Sequence, residues 1–172
     1  MKLTALTGIF ALILWLTPYY GDPSEFNPRS VRITSFGIKS EIRSEFGQKS
    51  DWIRISNTSS QQIIMNQGEW FLSDKGMEFP DKFKLPRVEL DPGASIIIWC
   101  DGLNVQAHDI HTNFKLKQTG EEVGLYYRPA GTKSSAFEWI SGAVFSPQDR
   151  DVAGYFILPS GDLQPLFTSD LP

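Results

Sequence analysis

The sequence predicts an all-β fold, either a sandwich or a barrel. Three observations carry this. Short apolar stretches alternate inward and outward and are broken by turn residues at intervals of roughly 8–12 positions. Ser95-Ile96-Ile97-Ile98-Trp99-Cys100 sets three β-branched residues in a row, which suits a pleated sheet and strains a helix. Beyond Gly21 no stretch repeats apolar residues at i, i+3, i+4 and i+7, and prolines from Pro80 through Pro86, Pro92, Pro129, Pro147 and Pro159 to Pro165 recur too often for any long helix.

Taken from the N-terminus, residues 1–21 read as an export segment forming a hydrophobic helix. Lys2 is the only charge before the apolar run Leu3 to Leu16, a layout of basic start and apolar centre that marks a secretory signal. Thr17-Pro18-Tyr19-Tyr20-Gly21 is a poor processing site, so an uncleaved N-terminal anchor is the alternative to a cleaved signal. Residues 22–29, with Pro23 and Pro28, read as a linker, and residues 30–172 as the folded domain. Its strand candidates are Val31–Phe36, Trp52–Ser56, Ile63–Met65, Trp70–Leu72, Ser95–Cys100, Val123–Tyr127, Phe137–Phe145 and Val152–Leu158. Ile53 and Ile55 share one face, as do Val123, Leu125 and Tyr127. Glu41 to Lys49 reads as a polar loop between strands.

Composition narrows the function. The chain of 172 residues is 41% hydrophobic and 21% charged, which is globular rather than disordered. A formal charge of −4 weighs against a general nucleic-acid binder. A single cysteine, Cys100, permits neither an intrachain disulfide nor a thiolate metal cage.

The strand-and-turn residues resemble a known family in ordered blocks. Asp51-Trp52-Ile53-Arg54-Ile55-Ser56-Asn57-Thr58-Ser59 resembles the opening of the lamin tail domain. Glu69-Trp70-Phe71-Leu72-Ser73-Asp74, Phe83-Lys84-Leu85-Pro86 and Leu90-Asp91-Pro92-Gly93-Ala94 are similar to the blocks that follow. His111-Thr112-Asn113-Phe114-Lys115-Leu116 with Gly120-Glu121-Glu122-Val123-Gly124-Leu125, and the close from Phe145 to Asp162, complete the match. The resemblance covers roughly Val31 to Asp162 and implies an immunoglobulin-like β-sandwich with a binding or tethering role and no catalytic residues. Bacterial members are exported and often fused to hydrolase domains; a stand-alone copy is expected here. Two departures stand out. Arg54 replaces the usual acid, and Gly68-Glu69-Trp70 spreads a Gly-Trp pair by one residue, which suggests a β-bulge.

Most signature residues have plain folding roles. Trp52 and Trp70 suit core packing. Asn57 suits a turn that bonds its own backbone, and Asp91-Pro92-Gly93 a tight turn. Gly120-Glu121 fits a hairpin turn between a Phe114–Leu116 strand and the Val123–Leu125 strand. Ile53, Leu72, Asp74, Phe114 and Leu116 belong to the same structural signature.

Candidate chemistry is sparse. His108 and His111 are the two histidines of the chain, and with Asp109 between them they are the candidate metal ligands. Zinc sites take three or four ligands at recognised spacings and calcium loops carry a D-x-D-x-D-G string, so the pattern fits a hydrogen-bonded loop better than a metal site. No G-x-S-x-G elbow and no glycine-rich phosphate loop occurs. Cys100 ends an apolar strand and reads as inert, and the acidic pairs Glu121/Glu122 and Asp149/Asp151 read as solvated turn residues. Neighbouring aromatics at Tyr126-Tyr127, and Trp139, Tyr155 and Phe156, should leave some aromatic surface facing solvent or a partner.

The expectation is an exported, non-enzymatic binding module of the cell envelope or extracellular space, without a cofactor, whose partner is a protein or envelope polymer. It would be secreted, periplasmic or at the cell surface, touching the membrane only through its N-terminal segment. The alternatives are an accessory module for extracellular DNA, with Arg29, Arg32, Lys39, Arg43 and Lys49 as a local basic face, and a small secreted metal-dependent hydrolase. Self-association through an edge strand is a further outcome.

Overall fold

The computed structural model describes residues 26–38, 41–133, 135–147, 149 and 151–170. The N-terminal hydrophobic helix and the export segment lie outside them. Among the described residues no helix is long and apolar enough to cross a membrane.

The fold is all-β. Its strands are β1 (Val31–Gly37), β2 (Asp51–Asn57), β3 (Ile63–Ile64), β4 (Gly68–Ser73), β5 (Phe83–Lys84), β6 (Glu89–Leu90), β7 (Ser95–Cys100), β8 (Ile110–His111), β9 (Glu121–Pro129), β10 (Glu138–Phe145), β11 (Val152–Ile157) and β12 (Leu163–Phe167). A six-stranded sheet runs β12-β11-β1-β2-β7-β8, a four-stranded sheet β10-β9-β4-β5, and β3 pairs with β6. Every pairing between strands is antiparallel except β7 with β8, which is parallel.

The two main sheets feed one core. Val31, Ile33, Ile53, Ile55 and Ile98 from the larger sheet meet Trp70, Leu72, Val123, Leu125, Tyr127 and Ile140 from the smaller one, all buried. This is the alternation read from the sequence, since Ile53 and Ile55 point inward while Arg54 between them is exposed. Phe26 packs edge-on against Trp70, at 6.3 Å between ring centroids, and tilted against Tyr127 at 5.9 Å.

A buried hydrogen bond ties the sheets together. β11 pairs with β1 only from Ser35 onward, so the ladder gives the Ile33 N–H no acceptor on that side. Ser141 Oγ, on a bulge of β10 and itself buried, accepts it at 2.8 Å. A further bulge in β1 lies between Ile33 and Ser35.

Several expectations need correction. Gly68–Trp70 contains no bulge: β4 runs in unbroken register against β9 from Gly68↔Pro129 to Ser73↔Gly124. Phe114–Leu116 is not a strand. Lys115 makes a lone bridge to Asp101 while Phe114 and Leu116, on either side of it, are buried in the core, so no ladder extends along the segment. Tyr126 and Tyr127 are both buried instead of dividing between core and solvent. Tyr127 enters the core, whereas Tyr126 folds back over Gly124 on the outer face, and its O–H donates to Glu122 Oε1 at 2.7 Å. Burial, and then the Glu122 carboxylate, push the Tyr126 hydroxyl well above the ordinary phenol range.

The signature residues take structural places. Trp70 is in the main core, and Trp52 is buried on the opposite face of the larger sheet with Trp99 and Leu166. Asn57 clamps two chain segments: its side-chain amide donates to the carbonyls of Gln61 (2.7 Å), Leu90 (3.0 Å) and Asp91 (3.1 Å), and its Oδ1 accepts the Ser59 N–H at 2.9 Å. Ala94 N–H closes the Asp91-Pro92-Gly93 turn on Asp91 O at 2.9 Å, with Gly93 at φ 72°, where a side chain would be strained. Asp74 is buried and paired with Lys82. Asp51 Oδ2 accepts the Leu116 N–H at 3.2 Å. Gly120 donates to Lys117 O at 3.2 Å, and Glu121 Oε1 accepts the Lys117 N–H at 2.7 Å while burial pushes its carboxyl upward.

Candidate functional site

The polar chemistry gathers at one end of the larger sheet, where the Glu41–Lys49 loop folds over the β7–β8 connection. The connection is shaped locally. Asp101 Oδ1 accepts the Leu103 N–H at 3.1 Å around Gly102, and Asn104 takes a positive φ of 55°, a conformation that asparagine tolerates better than most residues. The chain then returns along β7: His111 N–H donates to Val105 O at 2.9 Å, and Thr112 N–H to Trp99 O at 2.8 Å. This brings His111 beneath the loop. The loop is itself a tight reversal, with Ser44 N–H on Gln48 O at 2.9 Å and Gly47 N–H on Ser44 O at 2.8 Å.

His111 is completely buried. Its Nδ1 lies 2.6 Å from Asp101 Oδ2. A carboxylate accepts and does not donate, so Nδ1 carries the proton. Phe46 from the loop lies against the imidazole at 4.9 Å between centroids. The other ring nitrogen, Nε2, is 3.5 Å from Glu45 Oε2 and makes no hydrogen bond.

Asp109 sits beside it. Its Oδ2 accepts the Trp99 indole N–H at 2.9 Å, its Oδ1 is 3.0 Å from His108 Nδ1, and its backbone N–H donates to Glu45 Oε1 at 3.3 Å. The Trp99 indole N–H, helped by His108 and opposed by partial burial, holds the Asp109 carboxyl below the usual carboxylate range. The His108 side chain is 91% exposed. Three carboxylates, Asp101, Glu45 and Asp109, therefore face two imidazoles.

Two clefts flank the cluster. One, of about 430 Å³, is lined by Glu41, Lys49, Asp51, Cys100, Asp101 and Lys115. The other, of about 500 Å³, runs beside β8 and is lined by Val88, Ile96, Ile97 and Ile110 together with Arg87, Gln106, His108 and Asp109.

Of the candidate ligands read from the sequence, His108, Asp109 and His111 are brought into one neighbourhood, but the two imidazoles serve differently, one exposed and one fully buried. Glu45 was missed. It lies in the segment with no strand pattern, far along the chain from the histidines, and only the exposed-looking Glu45-Phe46 pair in an otherwise polar loop hinted at a docking contact. Cys100 is free and fully buried, and burial pushes its thiol well up, which disfavours the nucleophilic thiolate. Of the other aromatics, Trp139 (46%) and Phe156 (39%) are exposed, whereas Tyr155 packs against Phe36 at 5.5 Å between centroids.

The fold and the cluster define an all-β protein with a loop-capped imidazole–carboxylate site at a sheet end. No model of a known protein family matches the sequence, and no curated protein matches it.

Proposed function

We propose that the chain is an exported, non-enzymatic binding module with an immunoglobulin-like β-sandwich of the lamin-tail type, holding a protein or polymer of the cell envelope or extracellular space. The observation that carries the binding role is the groove of about 500 Å³ beside β8. Its walls set Val88, Ile96, Ile97 and Ile110 beside Arg87, Gln106, His108 and Asp109, apolar surface with a few polar groups that can orient a ligand, as recognition sites have. Two sheets sharing one core support the sandwich reading, as do the folding roles of Trp70, Asn57 and Pro92-Gly93. The DNA alternative draws less support. Lys49 is paired with Glu41 and the Arg43 guanidinium donates to Gly47 O at 2.5 Å, so these cations are engaged within their own loop.

The test is retention of a discrete partner from envelope and culture-supernatant fractions by the immobilised full chain, with and without nuclease. Ala107→Arg, which fills the groove from an exposed turn, should abolish retention, and nuclease should leave it intact. Retention unaffected by Ala107→Arg would overturn the groove, and loss with nuclease would move the reading to DNA.

A further inference from the structure

We propose that Glu45, His108, Asp109 and His111 form a site for one divalent transition-metal ion of the zinc class, clamping the Glu41–Lys49 loop to the end of the larger sheet. Glu45, His108 and Asp109 each offer a ligand atom, and these atoms lie within 4.8 Å of one another. Exposed acids and a histidine often cluster without a metal, so the argument turns on the buried group beside them.

His111 Nε2 is that group. The ring is 0% exposed, Nδ1–H is given to Asp101, and Nε2 has no hydrogen-bond partner. In the neutral tautomer Nε2 presents a lone pair, and the nearest polar atom is a carboxylate oxygen that also presents lone pairs. Two acceptors set face to face repel unless a cation, a proton on Nε2 or a metal ion, lies between them. Their separation of 3.5 Å matches that of a nitrogen and an oxygen bound to the same tetrahedral zinc, about 3.4 Å for bonds of about 2.0–2.1 Å.

The surrounding groups are those a metal site needs. Metal-bound histidines commonly donate their second ring N–H to a carboxylate, which fixes ring and tautomer, and Asp101 occupies that position on His111. Asp109 is oriented by the Trp99 indole. Two imidazoles with two carboxylates suit zinc and its first-row neighbours rather than calcium or magnesium, which favour all-oxygen shells. The site stands independently of the partner reading, because it concerns the ion alone.

The experiment is titration of the chelator-stripped full chain with zinc chloride, read by calorimetry and metal analysis, with cobalt(II) as the probe of geometry. One ion per chain and a tetrahedral cobalt absorption band are expected. Glu45→Gln and His108→Ala, both at loop positions, should each weaken zinc at least about tenfold while leaving the far-UV spectrum unchanged. Asp101→Asn should weaken it by about 10–100-fold through His111. Absence of saturable binding, or zinc affinity indifferent to both Glu45→Gln and His108→Ala, overturns the proposal.

Discussion

The outer faces of the two sheets solve the same packing problem and end differently. On the larger sheet Trp52 lies flat over Gly37, its partner across the β1–β2 ladder; a Cβ there would fall well inside contact with the indole. On the smaller sheet Tyr126 lies over Gly124 of its own strand, where a Cβ would come within 2.6 Å of the ring. Each large ring is thus buried on the solvent side of a sheet by a missing side chain. Around Tyr126 the polar groups named here are matched: Glu122 takes the phenol, and Glu69 takes both Lys84 and Arg128, whose guanidinium also covers Phe71 and Phe137 at 5.2 and 5.1 Å. Around Trp52 and Trp99 the account does not close, because three carboxylates meet two imidazoles and one buried ring nitrogen is left over. The matched face is architecture. The unmatched one holds the residues proposed above as ion ligands.

The comparison breaks first if the rings are unequal. Trp52→Ala and Tyr126→Ala should each cost about 3–5 kcal/mol in chemical denaturation, the range for emptying a buried aromatic site; a cost below about 1 kcal/mol for either would show that its face is not a packed layer. Gly37→Ala and Gly124→Ala should follow at about 1–3 kcal/mol by overpacking, and both losses should shrink when the facing ring is cut back in the double variant. Tyr126→Phe sharpens the polar side, with about 1 kcal/mol expected from the lost bond to Glu122.

The smallest effect is a pH dependence. Burial raises the Glu121 carboxyl in the folded chain, so the folded state holds its proton to higher pH than the unfolded state. That favourable linkage is complete below the ordinary glutamate value and is lost as pH rises through the raised one. Glu121→Gln should therefore melt like the parent near about pH 3 and slightly above it near about pH 7. Equal melting points at both would place that carboxylate in water.

Much of the sheet was legible because alternation is a local property. Ile53 and Ile55 inward with Arg54 outward, or the β-branched run ending at Cys100, state their own burial. The strands that were missed are those whose pairing is decided elsewhere. β5, β6 and β8 are two residues long, too short to show a period, and β12 carries Pro165, which reads as a break although an edge strand accommodates it. The Tyr126-Tyr127 pair misled because alternation gives the face of a residue but not what covers it. The site was half legible. His108, Asp109 and His111 stand close in sequence, whereas Glu45 arrives by a loop whose course depends on Phe46 seating against the imidazole.

The placement of β1 has a consequence for how the chain is made. The first strand lies between β2 and β11 in its sheet, and its buried Ile33 N–H is capped by Ser141, 108 residues further along the chain. A ribosome that has released only the first half of the polypeptide has therefore produced β1 with one neighbour and no cap. The six-stranded sheet is complete only once β12, ending at Phe167, has joined it. Contacts of such long sequence separation place folding in the slow range of small proteins, about milliseconds to seconds.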